Sequence, residues 1–209
     1  MAFKEIEAEQ ITTTIDMIRH GEPVGGKKYR GQLDDPLSEK GWRQMREAVG
    51  DHCPWEVIVS SPLSRCSGFG KELAERHGLP LEYEDGLQEI GFGEWEGCTA
   101  AELMERDPDI LMRFWNDPLN NTPPGAETLA DFRDRVIPAW ESVVERHRGK
   151  HVLLVGHAGM MRMVIRHVLE MPLERMFRLQ VENAGITRIQ IDHHGGDQLP
   201  RLVFHCGTL

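Results

Sequence analysis

The sequence predicts an α/β fold, a three-layer sandwich in which a mostly parallel sheet lies between two layers of helices. Three observations carry that reading. Short β-branched apolar runs alternate with amphipathic segments of helical period. Two runs far apart in the chain, Ile15-Asp16-Met17-Ile18-Arg19-His20 and Val152-Leu153-Leu154-Val155-Gly156-His157, each stop at a histidine with glycine close behind. The last two apolar runs have no helix between them, so they read as an antiparallel hairpin at the sheet edge.

The first strand is expected over Thr13 to Ile18, after a short acidic N-terminal segment. A loop rich in Gly, Lys and Asp follows. Ser38 then caps a helix, with Leu37 and Trp42 at the staple positions and Trp42, Met45 and Val49 as its buried stripe. Val57 to Ser60 reads as a second strand. Ser61 is the expected cap of the next helix and Pro62-Leu63-Ser64-Arg65 its first turn, since proline lacks an N–H that would be unpaired there anyway. That helix presents Cys66, Phe69, Leu73 and His77 on one face and closes at Gly78 and Pro80. Arg65 faces the positive end of the helix dipole, so a compensating anion is expected beside it.

A brief strand at Leu81 to Tyr83 precedes Leu87-Gln88-Glu89-Ile90-Gly91-Phe92-Gly93-Glu94-Trp95-Glu96-Gly97. From about residue 90 to 124 short helical pieces (Ala100 to Glu105, Ile110 to Trp115) mix with Asn, Asp and Pro. A lid over a site has this pattern, and an ordinary connecting excursion fits the composition equally. A long helix follows from Glu127 to His147 on Leu129, Phe132, Val136, Trp140 and Val143, with a kink expected at Pro138. After the His157 strand comes a helix on Met160, Met161, Val164, Ile165 and Val168, then strands at Ile186 to Ile191 and Leu202 to His205. The whole chain is read as one domain carrying one insertion.

The chain has 209 residues, 40% of them hydrophobic and 28% charged, enough for one core. A formal net charge of −10 argues against nucleic acid, which demands a basic face, but a local arginine cluster can still hold a small anion. Cys53, Cys66, Cys98 and Cys206 show neither a CxxC pair nor zinc spacing and read as reduced thiols. No apolar leader precedes the first strand, and no run reaches the roughly eighteen apolar residues of a membrane span. A cytoplasmic protein is expected.

In an open α/β sheet, ligands bind beyond the carboxyl ends of the strands, where His20 and His157 should meet. A neutral imidazole positioned through its other nitrogen can attack phosphorus and form a phosphohistidine without a metal. The transferring group then needs cations, and Arg19, Arg65 and a protonated His157 are available. Ala158 and Gly159 open a helix whose N–H groups favour an anion. One carboxylic acid must protonate the leaving alkoxide and later activate water. Glu89 is the choice, with Phe92 and Trp95 to exclude water and raise its pKa. Spacing alone leaves Glu84, Glu94 and Glu96 as rivals.

Taken together, Arg19-His20-Gly21-Glu22, Ser60-Ser61-Pro62-Leu63-Ser64-Arg65, Glu89 to Gly97, Pro124-Gly125-Ala126-Glu127 and His157-Ala158-Gly159 resemble the histidine phosphatase (phosphoglycerate-mutase-like) superfamily. The resemblance spans nearly the whole chain in the family's order. It implies that His20 is phosphorylated, that Glu89 is the proton donor, and that Arg19, Arg65 and His157 form a phosphate pocket lined also by Arg30, Gly31 and Ala158. It implies a small phosphorylated substrate and calls for no cofactor or metal. Pro23-Val24-Gly25-Gly26 stand where mutases of the family carry Thr or Ser and then Asn, which weakens a mutase reading. Tyr29 to Ser38 is similar to the α-ribazole-5′-phosphate phosphatase branch, making that ester the first substrate to consider. A mutase-type phosphotransferase and an inactive phosphate-binding relative are the alternatives. Oligomeric state is left open, a homodimer included.

Two other motifs are weighed against this. Gly21-Glu22-Pro23-Val24-Gly25-Gly26-Lys27 fits a nucleotide-binding P-loop, but Lys28 occupies the Ser/Thr position and no helix pattern follows. His193-His194 before Gly195-Gly196 suggests metal less than an exposed hairpin tip.

Overall fold

A computed structural model describes residues 11–194 and 196–209. The N-terminal acidic segment and Gly195 of the expected hairpin tip lie outside the described residues. Within them, strands β1 (Ile11–Arg19), β2 (Val57–Ser60), β3 (Leu81–Tyr83), β4 (His151–Gly156), β5 (Ile186–His194) and β6 (Asp197–Gly207) form one sheet in the order β3-β2-β4-β1-β5-β6. The first four are parallel to their neighbours, whereas β5 runs antiparallel to β1 and β6 antiparallel to β5. The alternation of side chains sorts the sheet into two faces. Ile15, Met17, Val57, Val59, Val152, Leu154, Ile189 and Ile191 point into one core with helices α5 (Leu129–Arg146) and α6 (Ala158–Val168). Ile18, Ile58, Leu153, Val155 and Ile186 face the other core, against α1 (Glu39–Val49) and α2 (Ser64–His77). This is the expected three-layer arrangement.

Several local rules hold. Ser38 caps α1, its hydroxyl accepting from Gly41 N at 3.0 Å. Gly78 closes α2 in the left-handed region at φ 65°. Thr128 caps α5 through Asp131 N, and the helix continues through Pro138. The excursion after residue 90 carries α3 (Ala100–Arg106) and α4 (Ile110–Asn116), close to the predicted pieces. Trp95, Leu103 and Phe114 form a separate small core there.

Two expectations are corrected. Helix α2 begins at Ser64, not Pro62, with Leu63 as its unassisted cap. The Ser61 hydroxyl contacts His157 instead, and only a 3.4 Å bond from Leu63 N ties it to the turn. His193 is no exposed hairpin residue. It lies in a longer β5, 3% exposed, with Nε2 2.7 Å from the Thr13 hydroxyl.

Candidate active site

Parallel β1 and β4 pair Arg19 with Gly156, so the residues that follow them, His20 and His157, leave the sheet side by side. Their ring centroids are 5.3 Å apart. Because β5 runs antiparallel to β1, with Ile18 opposite Ile186, the segment entering β5 reaches the same edge. These elements surround a cavity of about 490 Å³ whose lining includes Arg19, His20, Arg30, Gly31, Arg65 and Glu89.

His20 is 6% exposed, and its Nδ1 lies 2.7 Å from the Gly21 carbonyl oxygen. A carbonyl only accepts, so Nδ1 carries the proton and Nε2 keeps its lone pair. Burial, followed by the charges of Arg65 and Arg19, pushes the His20 pKa well below its usual value of 6.5. The imidazole is neutral and oriented.

Arg65 is 1% exposed in the first turn of α2. No carboxylate among the described residues pairs with it. Its Nη1 donates to Leu33 O at 2.9 Å and its Nη2 to Gly31 O at 2.7 Å, while Nε has no partner among the described residues. Arg19 repeats the pattern: Nη1 donates to Val181 O at 2.7 Å and Nε is buried without a partner among the described residues. Buried guanidinium N–H groups are seldom left this way, and two beside one neutral histidine form a ready receptor for an anion.

Glu89 approaches from the opposite wall. Its Oε2 accepts from Gly159 N at 3.1 Å and its Oε1 from Ile90 N at 3.0 Å. The N-terminal N–H of α6 expected to favour a bound anion is therefore directed at Glu89. Only glycine permits this, since a Cβ on Gly159 would lie 2.3 Å from the Glu89 Oε1. The rival carboxylates are placed elsewhere. Glu84 accepts from Gly86 N and pairs with Arg146, Glu94 is exposed, and Glu96 accepts from Gln32 N and Phe92 N at 3.0 Å. Phe92 lines the cavity with Glu89, but Trp95 packs against Tyr29 and Phe114 in the separate small core.

His157 lies behind His20, 0% exposed, with Nε2 2.8 Å from the Ser61 hydroxyl. The expectation of a protonated His157 is corrected: burial, Arg65 and His20 hold its pKa well below 6.5. Ala158 is buried at the start of α6 and is absent from the cavity lining. Gly31 is buried at φ 50°, where a Cβ would stand 2.2 Å from the Glu96 carboxylate. Arg30 lines the cavity with its donors already engaged, Nε on Asp35 and Nη2 on the Val24 and Gly26 carbonyls.

Sequence reasoning missed the fourth wall, Gln180, Val181, Glu182 and Asn183. Asn183 donates to the His20 carbonyl at 3.2 Å. The signal was present in the C-terminal hairpin: an antiparallel β5 must start where β1 ends. The P-loop alternative fails structurally, because Lys27 is followed by turns and no helix begins before Glu39.

Comparison with known proteins agrees with this geometry. A protein of Mycobacterium tuberculosis named as bifunctional is 33% identical over 202 residues, which cover 94% of this chain and 55% of that protein. The chain thus spans about half the length of that relative. Phosphoserine phosphatase 1 of Hydrogenobacter thermophilus is 33% identical over 184 residues, 84% of this chain and 85% of the relative. A mycobacterial glucosyl-3-phosphoglycerate phosphatase, solved with inorganic phosphate, superposes with a TM-score of 0.79 at 28% identity, covering 93% of this chain and 97% of that one. An α-ribazole phosphatase from Shigella flexneri shares the fold with a TM-score of 0.77 at 24% identity, over 93% of this chain and 96% of its own. The model of the histidine phosphatase superfamily (branch 1) matches residues 15–201, and with His20, Arg19, Arg65 and Glu89 around one cavity, the chain belongs to that superfamily.

Proposed function

We propose that this chain is a phosphomonoesterase that hydrolyses a small phosphate ester through a phosphohistidine at His20, with no metal. One observation carries the reading: a neutral His20, whose Nε2 has no hydrogen-bond partner among the described residues, stands beside two arginines, Arg19 and Arg65, whose buried Nε donors likewise lack partners among the described residues. The Nε2 lone pair attacks phosphorus while the bond to the leaving oxygen breaks. Arg19 and Arg65 take the charge of the phosphoryl oxygens in preset positions, the main need of this transfer. Glu89 in its acid form gives its proton to the leaving alkoxide. As a carboxylate it then takes one from the water that attacks the phosphohistidine, returning His20 and releasing phosphate. His157, neutral and bonded to Ser61, positions the pocket floor. Residues 90–124 act as a lid on a single domain, a reading supported by Phe92, which lines the cavity and packs edge-on against Tyr29. α-Ribazole 5′-phosphate and phosphoserine are the first esters to try, the one from the Tyr29 to Ser38 resemblance, the other from the named relative.

Hydrolysis of an aryl phosphate by wild type and by His20→Ala, both in EDTA, tests the reading. Turnover in wild type that disappears in the variant is expected, along with acid-labile phosphate trapped on the protein. Turnover that survives in His20→Ala, or that EDTA abolishes and one metal restores, would refute it.

A further inference from the structure

Arg135 has no part in the chemistry above and does not line the catalytic cavity. It stands on α5 with its side chain 26% exposed, yet its guanidinium is fully used. Nε donates to Glu127 Oε1 at 2.9 Å and Nη2 to Glu127 Oε2 at 2.8 Å, a bidentate ion pair. Nη1 donates to the Gly86 and Gln88 carbonyls at 3.0 and 3.1 Å, and Nη2 also to the Glu89 carbonyl at 3.3 Å. A guanidinium has five N–H groups, and these contacts use them all. Arg19 and Arg65 are built the other way, each with an Nε that has no acceptor among the described residues. Those two can receive an anion, whereas Arg135 is committed to the chain beside it.

That chain is the segment carrying Glu89. Leu87 and Ile90 anchor its apolar side, buried in one core with Leu129, Phe132 and Val136 of α5. The approach is close, since a Cβ on Gly86 would lie 2.5 Å from the Ala139 Cβ. The ion pair sets the polar side: Arg135 takes carbonyls up to that of Glu89, and Glu127 Oε2 accepts from Gly91 N at 3.2 Å. One unit thereby holds the backbone on both sides of Glu89. Apolar packing fixes how deep the segment sits, but not the orientation of its peptides, which decides where the Glu89 carboxyl enters the cavity. A displacement of about 1 Å at a reacting group can cost on the order of a hundredfold in rate. Lysine is no substitute for Arg135, because its one ammonium carries three N–H groups and no fork for the carboxylate.

We propose that Arg135, paired with Glu127, is a positioning residue for Glu89, holding the proton donor where it meets the leaving oxygen. This rests on the phosphatase reading for the role of Glu89. The consequence is selective. A leaving oxygen that departs readily as an anion gains little from a proton donor, and a basic one gains most.

The test is kcat/KM for 4-nitrophenyl phosphate and phenyl phosphate, esters of similar size whose leaving oxygens differ in basicity, in wild type, Arg135→Met, Arg135→Lys, Glu127→Gln and Glu89→Gln. This constant reports the steps up to transfer to His20, so the later use of Glu89 as a base does not enter it. Arg135→Met should lower the phenyl value about tenfold more than the nitrophenyl value, in the same sense as Glu89→Gln. Arg135→Lys should not restore it, and Glu127→Gln should show the same bias in smaller degree. Inhibition by orthophosphate should be unchanged, because Arg19 and Arg65 are untouched. A merely structural role lowers both esters alike. Equal losses on the two esters, no loss, full activity in Arg135→Lys, or weakened orthophosphate inhibition would overturn the proposal. Where Arg135→Met does not fold, Glu127→Gln, which keeps the shape of the side chain, decides by the same ratio. Absent wild-type turnover, or turnover that survives His20→Ala, marks failure of the phosphatase reading, and the proposal falls with it. Equal losses in an active, His20-dependent enzyme mark failure of the proposal alone.

Discussion

Asp16 lies in β1 four residues before His20 and is 0% exposed, an uncommon place for a carboxylate. Its oxygens accept from Arg188 Nε at 2.7 Å and Nη2 at 2.9 Å, from Trp55 Nε1 at 2.9 Å and from His151 Nε2 at 2.9 Å. It thus ties β1 to β4 and β5, the two strands whose register builds the site. Burial by itself would raise its pKa, but hydrogen bonds from His151, Arg188 and Trp55 outweigh that and hold it down from 3.8 to about 2. A depressed carboxylate stabilises the fold above its unfolded pKa, and the contribution is lost as pH falls toward the folded value. The shift corresponds to about 2 kcal/mol at pH 7, nearly all of it kept at pH 4 and about half of it at pH 3. Asp16→Asn should therefore cost about 2–4 kcal/mol at pH 7, because Arg188 loses its counterion. The gap between wild type and variant should shrink by about 1 kcal/mol by pH 3. Urea unfolding at pH 7, 5, 4 and 3 measures it. A gap that stays constant over this range, or widens toward acid, would refute the account of Asp16 as an ionised hub.

Two further outcomes follow from the site. Since both His20 and His157 are held neutral, kcat/KM for an aryl phosphate, corrected for the ester's own ionisation, should show no acid limb at 6.5, the ordinary histidine value, and should fall only at distinctly lower pH; an enzyme ionisation at that ordinary value would contradict the electrostatics. Gly21→Ala places a Cβ 2.2 Å from the Gly41 carbonyl oxygen, backbone against backbone, so the His20 turn and α1 must separate. The cost should be about 1–3 kcal/mol in urea unfolding, with a drop in kcat/KM because Gly21 supplies the acceptor that orients His20.

The elements most legible in the sequence were those governed by local chemistry. The Ser38 cap, the Gly78 stop and the two histidines at strand ends all follow from backbone rules that act within a few residues. The same rules misplaced the start of α2. Ser61 is a good local cap, but a buried partner from another strand, His157, takes its hydroxyl, and the helix starts later at Ser64. His193 departs from the hairpin-tip expectation for a related reason: it sits in β5 against β1, and its ring contacts Thr13, 180 positions earlier. The charge state of His157 was also beyond local reading, because it is set by enclosure and by Arg65, neither of which has a sequence spacing. The 180–183 wall could have been inferred from strand direction, which is a topological signal more than a compositional one.

Arg19 and Arg65 explain why these pieces act together. Each uses terminal N–H groups to hold backbone carbonyls, Val181 for one and Gly31 and Leu33 for the other, so each arginine builds a wall of the cavity. Each leaves an Nε with no acceptor among the described residues. Together with burial, the same positive charges lower the His20 pKa and keep the imidazole neutral. On the proposed mechanism a bound phosphoryl group would meet donors already fixed by the fold, and its negative charge would oppose the depression just as the imidazole becomes cationic on attack. The cost of enclosing two guanidinium Nε donors that no carboxylate among the described residues pairs with is, on the proposed mechanism, met mainly in the liganded state, as expected where binding and reaction use one set of charges.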